Sequence, residues 1–338
     1  MPGLIFLGTD LHGPATELAA KTVNILRKNI KESKTVSISH RKSYKREKNI
    51  WILPRLLGSS RLRKVFQALL LPAYLTVLRA LGYDKVATFW VANKNYHKNL
   101  FRFLRAIGFR IIFTVISGED TNFSVLNRCN VVVCQSKRME DFVKRHVSKA
   151  DVSLIHPSVD LKLFKPGKKT NDILIPSVPY DVDDFNERGI DVVLEILKNL
   201  NLSTEVIFRS ENSYKHVKAM KLKNVKLINR ALKDRELSEI MARTKIIPLF
   251  YLKSPDMPYS AIEGMASGCA IICTKKTALS ELVEKENAGI VVSNKEELKR
   301  AIFKILKNKS YNINARKAAE KYFDSNENIQ HYLKLLLP

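Results

Sequence analysis

Acidic residues are scarce in this chain. Its 338 residues hold 33 Asp+Glu against 58 Lys+Arg, a formal net charge of +25. The deficit is uneven: residues 1–150 carry 27 basic and 9 acidic residues, net +18, and the remainder carries 31 and 24, net +7. A one-sided basic field points the first half toward an anionic partner, whether phospholipid, phosphorylated substrate or nucleic acid. The alternative is solubility through a Lys-rich surface. Cysteine is also sparse. Cys129, Cys134, Cys269 and Cys273 include no C-x-x-C pair, and no His sits at a metal-ligand offset from them. This excludes the common zinc spacings, so no metal site is expected, and apolar neighbours predict core thiols in a reducing cytosol. Long apolar runs are missing. The longest uncharged one, ALLLPAYLTVL at 68–78, is interrupted by Pro72 and is too short to span a bilayer. The opening MPGLIFLGTD lacks the basic and long apolar regions of a secretory signal.

What is present is alternation. GLIFLG, TVSIS, VATFWVA, RIIFTVIS and NVVVCQS read as buried strands, separated by amphipathic helical patterns. Near residue 165 the pattern restarts with NDILIPS, TEVIFRS, NVKLIN, KIIPLFY, AIICTK and GIVVS. Continuous apolar strands between helices predict an α/β fold with parallel sheets covered on both faces. Two Rossmann-like doubly wound domains facing a cleft are expected, at 1–165 and 166–310, with C-terminal helices over 311–338. The boundary candidate is FKPGKK, 164–169. Ligands of such sheets sit at the carboxyl ends of the strands.

One segment breaks the alternation. Residues 41–64 hold nine Lys/Arg and one Glu, interleaved with Trp51 and several Ile and Leu. Arg41, Lys42, Lys45, Arg46, Trp51, Arg61, Arg63 and Lys64 on a helix would suit an anionic membrane surface or an anionic lipid acceptor. A helix packed on the sheet with a solvated basic face is the other reading.

The stretch SPDMPYSAIEGMASG, 254–268, places a strand-to-helix loop before a small-residue helix that ends at Gly268. The free N–H groups and positive dipole of a helix start favour an anion such as phosphate. Glu263, expected on the first turn, could accept hydrogen bonds from two vicinal hydroxyls. Ser260-x-x-Glu263 also fits a capping box, in which both side chains serve the helix end.

These residues carry a resemblance. PYSAIEGMASGCAII, followed by ELV and NAGIVV, resembles the donor-site region of the GT-B glycosyltransferases of family 4. SLIHPSVDLKLFKP, 153–166, is similar to the family's strand and turn before the interdomain linker, with Val159, Asp160, Phe164 and Pro166 at the matching positions. NVVVCQS with MEDFVKR, GTDLHGPATELAAKTVNIL and KYFDSNENIQHYLKLL resemble other parts of the same fold in order. The resemblance implies a GT-B fold: 1–165 on the acceptor side, 166–310 holding the nucleotide-sugar donor, and 311–338 crossing back to the first domain.

The resemblance further implies sugar transfer from a UDP- or GDP-sugar to an acceptor hydroxyl, with retention, no metal and no cofactor beyond the donor. Glu263 would hold the ribose. The N–H groups of Tyr259 and Ser260 would meet the diphosphate or sugar, beside Met257 and Pro258. Arg188, in NERGIDVV, would neutralise the leaving phosphates, with Arg209 and Ser210 nearby and Gly13 letting the first-domain loop approach closely. The sequence departs from the family at three points, one of them the absence of the usual Arg upstream of the family's K-G, where VPYDVDDFNERG offers Tyr180 and acids. Pro255 stands where the first acid of the family's pair is expected, leaving Asp256, one position late, either as its replacement or as a solvated loop residue. Ile116–Asp120 lacks the family's His, leaving His12 and His97 as substitutes. The expected function is a cytoplasmic glycosyltransferase, peripheral on the inner membrane face, acting on a lipid-linked or anionic glycan. A catalytically inactive sugar- or nucleotide-binding subunit is the alternative. A basic nucleic-acid-binding protein is a third reading; with no helix-turn-helix, RNP pair or zinc spacing, no nucleic acid is expected.

Overall fold

A computed structural model of the chain describes residues 3–7, 22–23, 25–27, 29–30, 33–37, 50–52, 60–90, 95–115, 122–179, 181–252 and 257–337. The chain divides into two compact units, Met1–Pro157 with Asn326–Pro338 (unit 1) and Ser158–Ser325 (unit 2).

Unit 1 is built on seven parallel strands: β1 (Gly3–Leu7), β2 (Ser33–Ser37), β3 (Ile50–Ile52), β4 (Tyr83–Trp90), β5 (Arg110–Val115), β6 (Val131–Cys134) and β7 (Asp151–Leu154). Their order across the sheet is β3-β2-β1-β4-β5-β6-β7. The helices are α1 (Ser60–Ala80), α2 (Asn95–Ala106), α3 (Phe123–Leu126) and α4 (Lys137–His146). Apolar residues run without alternation through β1, β5 and β6 because both faces are covered. On one face Leu71, Leu75 and Leu78 of α1 and Leu100, Phe101 and Leu104 of α2 join Ile5, Val86, Ile111 and Phe113 in one buried cluster. Trp51 lies on β3, where Ile-Trp-Ile pairs in parallel with Val36 and its neighbours. The helical expectation for that residue is therefore corrected: a β-branched and aromatic triplet completes the sheet edge. Arg61, Arg63 and Lys64 do fall on a helix, α1. Arg41, Lys42, Lys45 and Arg46 lie outside the described residues.

Unit 2 carries six parallel strands: β8 (Asn171–Ile175), β9 (Thr204–Phe208), β10 (Val225–Asn229), β11 (Thr244–Leu249), β12 (Ala270–Thr274) and β13 (Gly289–Val292). They are ordered β10-β9-β8-β11-β12-β13. Its helices are α5 (Asp184–Glu187), α6 (Ile190–Lys198), α7 (Glu211–Ala219), α8 (Asp234–Arg243), α9 (Tyr259–Ala266), α10 (Ser280–Lys285), α11 (Lys295–Lys307) and α12 (Ser310–Tyr322). The chain leaves β8 toward β9 and returns to β11 on the other side, so the topological switch point lies between β8 and β11. Pro248 sharpens it. β11 pairs with β8 through Thr244 and Ile246, and the next residue facing β8 in that period is Pro248, which has no N–H to donate. Pairing with β12 continues to Leu249.

The closing helices divide between the units. Ala315, Ala318 and Ala319 of α12 pack into the core of unit 2 with Ala261, Ile262 and Met265 of α9. The final helix α13 (Ser325–Leu336) instead buries Ile329, Tyr332 and Leu336 among Leu4, Phe6 and Phe89 of unit 1. The stretch 311–338, expected to return as one block, is thus split: a small-residue face fits helix on helix, and a bulky one covers the sheet.

Candidate donor site

The site is assembled from the loops leaving β8, β9 and β11 at the carboxyl edge of the unit 2 sheet. After β8 the chain passes through α5 to Arg188 and Gly189. Gly189 has φ +59° and is the N-cap of α6. A Cβ there would lie 1.9 Å from the Phe250 carbonyl oxygen, so only glycine allows this loop to rest on the exit of β11. The Leu252 N–H donates to the Glu187 carbonyl at 2.8 Å, closing the two loops together. Arg188 is exposed, and its guanidinium lies 5.8 Å from the centre of the Tyr251 ring. A permanent cation is therefore held at the switch point by contacts that leave its charge at the surface.

From β9, Arg209 is exposed just beyond the strand end and Ser210 caps α7 by accepting from the Ser213 N–H. The Ser213 hydroxyl donates to the Pro179 carbonyl at 2.7 Å, tying this loop to the one after β8.

The third loop leads into α9. Its N-cap is Pro258, with φ −73° and ψ 114°, and no side chain caps the helix. The expected capping box is therefore not formed. The fixed φ of Pro258 starts the helix early, which leaves Ser260 as its second residue and Glu263 as its fifth, in the second turn rather than the first. Glu263 is only 4% exposed, on a helix whose residues 261–266 are all buried. A carboxylate there must be met by hydrogen bonds or charge. Met257 and Pro258 are buried; Tyr259 and Ser260 are half-buried. The Tyr259 hydroxyl donates to the Ser158 carbonyl. The N–H groups of Ala261 and Ile262 donate to the Pro258 carbonyl at 3.1 and 3.4 Å, and those of Tyr259 and Ser260, at the first two positions, have no acceptor within the helix.

The opposite end of α9 is closed. Gly268 takes φ +71°, and the N–H groups of Gly268 and Cys269 donate to the Met265 and Gly264 carbonyls in a Schellman turn. Arg316 donates to the Ala266 carbonyl at 2.6 Å, the Lys169 ammonium to Ser267 at 2.7 Å and Asn312 to Gly268 at 2.8 Å. Two cations at a helix C-terminus oppose its negative pole. Burial holds the Lys169 pKa below the ordinary lysine value. The sequence reading missed Lys169, Arg316, Asn312, Gly189 and Tyr251. Lys169 sat in a stretch read as linker; the αL requirement at Gly189 had no local signal beyond the glycine itself.

The structure thus places Arg188 on the connection that leaves β8, Met257 and Pro258 at the end of the connection that leaves β11, and Tyr259, Ser260 and Glu263 on α9 behind it, with Arg209 and Ser210 one strand away. Asp256, Gly13 and His12 lie outside the described residues. His97 falls on α2 of unit 1. Among the described residues no group of three or more His, Cys, Asp or Glu is arranged to hold a metal.

Comparison with known proteins falls on this unit. The family described as "Glycosyl transferases group 1" matches residues 181–308. No curated protein matches the sequence. Among solved structures, sucrose-phosphate synthase from Thermosynechococcus elongatus superposes with a TM-score of 0.77 at 15% identity, covering 99% of this chain and 98% of that one. Anabaena Alr3699/HepE in complex with UDP gives 0.74 at 13% identity and 99% of both chains; its complex with UDP-glucose gives 0.73 at 14%. WaaG, a glycosyltransferase involved in lipopolysaccharide biosynthesis, gives 0.66 at 12% identity, again over 99% of both chains. At these identities the likeness establishes the fold: two units, each an α/β sheet wound on both faces, as in GT-B glycosyltransferases.

Proposed function

We propose that the chain is a glycosyltransferase of this group, moving a sugar from a UDP- or GDP-sugar to an acceptor hydroxyl with retention. The observation that carries the reading is the start of α9 after β11, the strand on one side of the switch point of unit 2, with the exposed Arg188 against the ring of Tyr251 just beyond that strand. The diphosphate is received by the N–H groups of Tyr259 and Ser260 and the positive pole of α9, with Met257 and Pro258 as apolar wall. Arg188, with Arg209 from the neighbouring strand, neutralises the leaving phosphates. Glu263 accepts from the ribose hydroxyls, and Ser210 lines the base or ribose side. Asp256 stands in for the first acid. No protein nucleophile is required. The bond from the anomeric carbon to the diphosphate breaks, the acceptor oxygen bonds to that carbon on the same face, and its proton passes to the leaving phosphate. No metal or separate cofactor takes part.

The UDP and UDP-glucose complexes of the Anabaena protein favour a uridine donor. The basic excess of the first half favours a lipid-linked or anionic glycan acceptor and a peripheral place on the cytoplasmic membrane face. Among the described residues no helix is long and apolar enough to cross a membrane. A thermal-shift screen of nucleotide sugars, followed by product analysis on extracted lipid-linked glycans, tests the reading. One nucleotide sugar raising the melting temperature and yielding a glycosylated product supports it. Donor binding without turnover on any acceptor would favour the inactive binding subunit, the reading that Pro255 in place of the first acid also motivates.

A further inference from the structure

The outer layer of unit 1 has a surface that the transfer chemistry does not use. Helices α1 and α2 lie side by side on one face of the sheet. Arg79 of α1 donates from Nε to the Ile107 carbonyl just beyond α2 at 3.3 Å, and its guanidinium lies 6.0 Å from the centre of the Phe109 ring. Both helices end in left-handed glycines, Gly82 and Gly108, so their C-terminal ends finish together. Their inner faces are spent on the core through Leu75, Leu78, Phe101 and Leu104. Over the described side chains of α1, 70–80, the outer face carries one polar residue, Thr76, whose hydroxyl donates to the Pro72 carbonyl. Ala73, Val77 and Leu81 recur at one-turn spacing and are exposed, with Val77 54% and Leu81 64% accessible. Beside them α2 turns Arg102 and Arg105 to solvent.

Charge identifies the occupant. Neither helix contains a single Asp or Glu, and of the basic side chains described on them Arg102 and Arg105 are exposed, Lys98 is half-buried and Arg79 is spent on Ile107. An ordinary solvated helix face mixes both signs; one stripped of acids and carrying large apolar tips is suited to a layer that is anionic outside and apolar beneath. A nucleic-acid face would offer polar and basic groups to phosphates, with no use for Val77 and Leu81. We infer that this two-helix face is a docking surface for an anionic lipid bilayer, with Val77 and Leu81 entering the headgroup boundary and Arg102 and Arg105 meeting lipid phosphates. This places a membrane-facing surface on the outer side of 73–106, in addition to the one expected of the 41–64 segment. The inference rests on the transferase reading for its purpose, which is to bring unit 1 to a lipid-linked acceptor.

The test is flotation of the full chain with mixed phosphatidylcholine and phosphatidylglycerol vesicles, against phosphatidylcholine alone. The expected result is binding to the anionic vesicles only. Val77→Asp with Leu81→Asp lowers that partition about ten-fold or more. Arg102→Gln with Arg105→Gln lowers it about thirty-fold, two surface charges at the usual increment. Both pairs are exposed, and unchanged circular dichroism melting shows that each variant folds. Anionic-vesicle binding that survives both double variants overturns the inference. So does tighter binding of the same face to duplex or single-stranded nucleic acid, or a dimer dissociated by these variants without any vesicle binding. Nucleotide-sugar binding is measured on the same samples. Its absence with vesicle binding still mapped to this face would sink the transferase reading and leave the docking surface standing.

Discussion

In unit 2 the buried carboxylate of Glu205 accepts from Arg243 at 2.8 Å and has the Lys226 ammonium at 3.2 Å; Lys245 meets Asp172 and Arg316 meets Glu320. In unit 1 the outer helices α1 and α2 carry seven basic residues and no acid. Acids in unit 1 do pair locally on α4, where Glu140 lies between Lys137 and Lys144. The contrast is therefore between surfaces, and it separates two uses of positive charge. In unit 2 Lys169 and Arg316 are spent on the chain's own carbonyls, holding α9 in place from behind. On the outer helices of unit 1, Arg102 and Arg105 are exposed, while Arg79 is spent on the Ile107 carbonyl. Net charge alone, +18 against +7 for the two parts of the sequence, marks where the excess lies without saying which cations are already committed.

The comparison can be broken unit by unit, because both tryptophans, Trp51 and Trp90, belong to unit 1. Tryptophan fluorescence therefore follows unit 1, and far-ultraviolet circular dichroism follows both units. The largest effect is expected from Tyr332→Ala. Tyr332 is 2% exposed, packs 5.7 Å from Phe89 and places its hydroxyl 3.4 Å from the Thr114 hydroxyl. Its loss should cost unit 1 about 3–5 kcal/mol and lower the fluorescence midpoint. An unmoved fluorescence midpoint would remove α13 from unit 1. Next comes Gly189→Ala, which forces a Cβ into the Phe250 carbonyl at a left-handed φ. A loss of roughly 2–4 kcal/mol confined to unit 2 is expected, seen by circular dichroism with fluorescence unchanged.

The smallest effect concerns acid. His156 of unit 1 is held below the ordinary imidazole pKa by burial, partly offset by its bond to the Gln135 carbonyl and by the charge of Glu140. A depressed folded pKa gives stability that is complete above the unfolded value and is lost as pH falls through the folded one. Unit 1 should therefore weaken as pH drops below about 6.5, and His156→Asn should flatten that slope. Equal acid sensitivity in both proteins would assign the slope to other groups.

Most of the sheet architecture was legible in the sequence, because strands buried on both faces are written as uninterrupted Val, Ile and Phe. β3 was not: three residues inside a basic segment have no period to read, and only pairing with β2 makes Ile50–Ile52 a strand. The donor-site loop was legible as a strand-to-helix turn, and Glu263 as its one acid. Its cap was misread because Ser-x-x-Glu has the right spacing, whereas the helix begins where Pro258 sets the backbone. The supports behind α9 had no sequence signal. Lys169 and Arg316 lie 147 residues apart and meet the carbonyls of Ser267 and Ala266 only in the folded unit.

The central claim is that the start of α9, with Glu263 behind it, holds the nucleotide end of a sugar donor. Calorimetric titration of the chain and of Glu263→Gln with the nucleotide sugar chosen by the thermal screen tests it most directly. Exchanging a carboxylate for an isosteric amide should weaken binding by roughly 10- to 100-fold, the worth of charge-assisted hydrogen bonds to a ribose, with the melting temperature of unit 2 little changed. Equal affinity in the two proteins would contradict the account and leave Glu263 a buried structural acid.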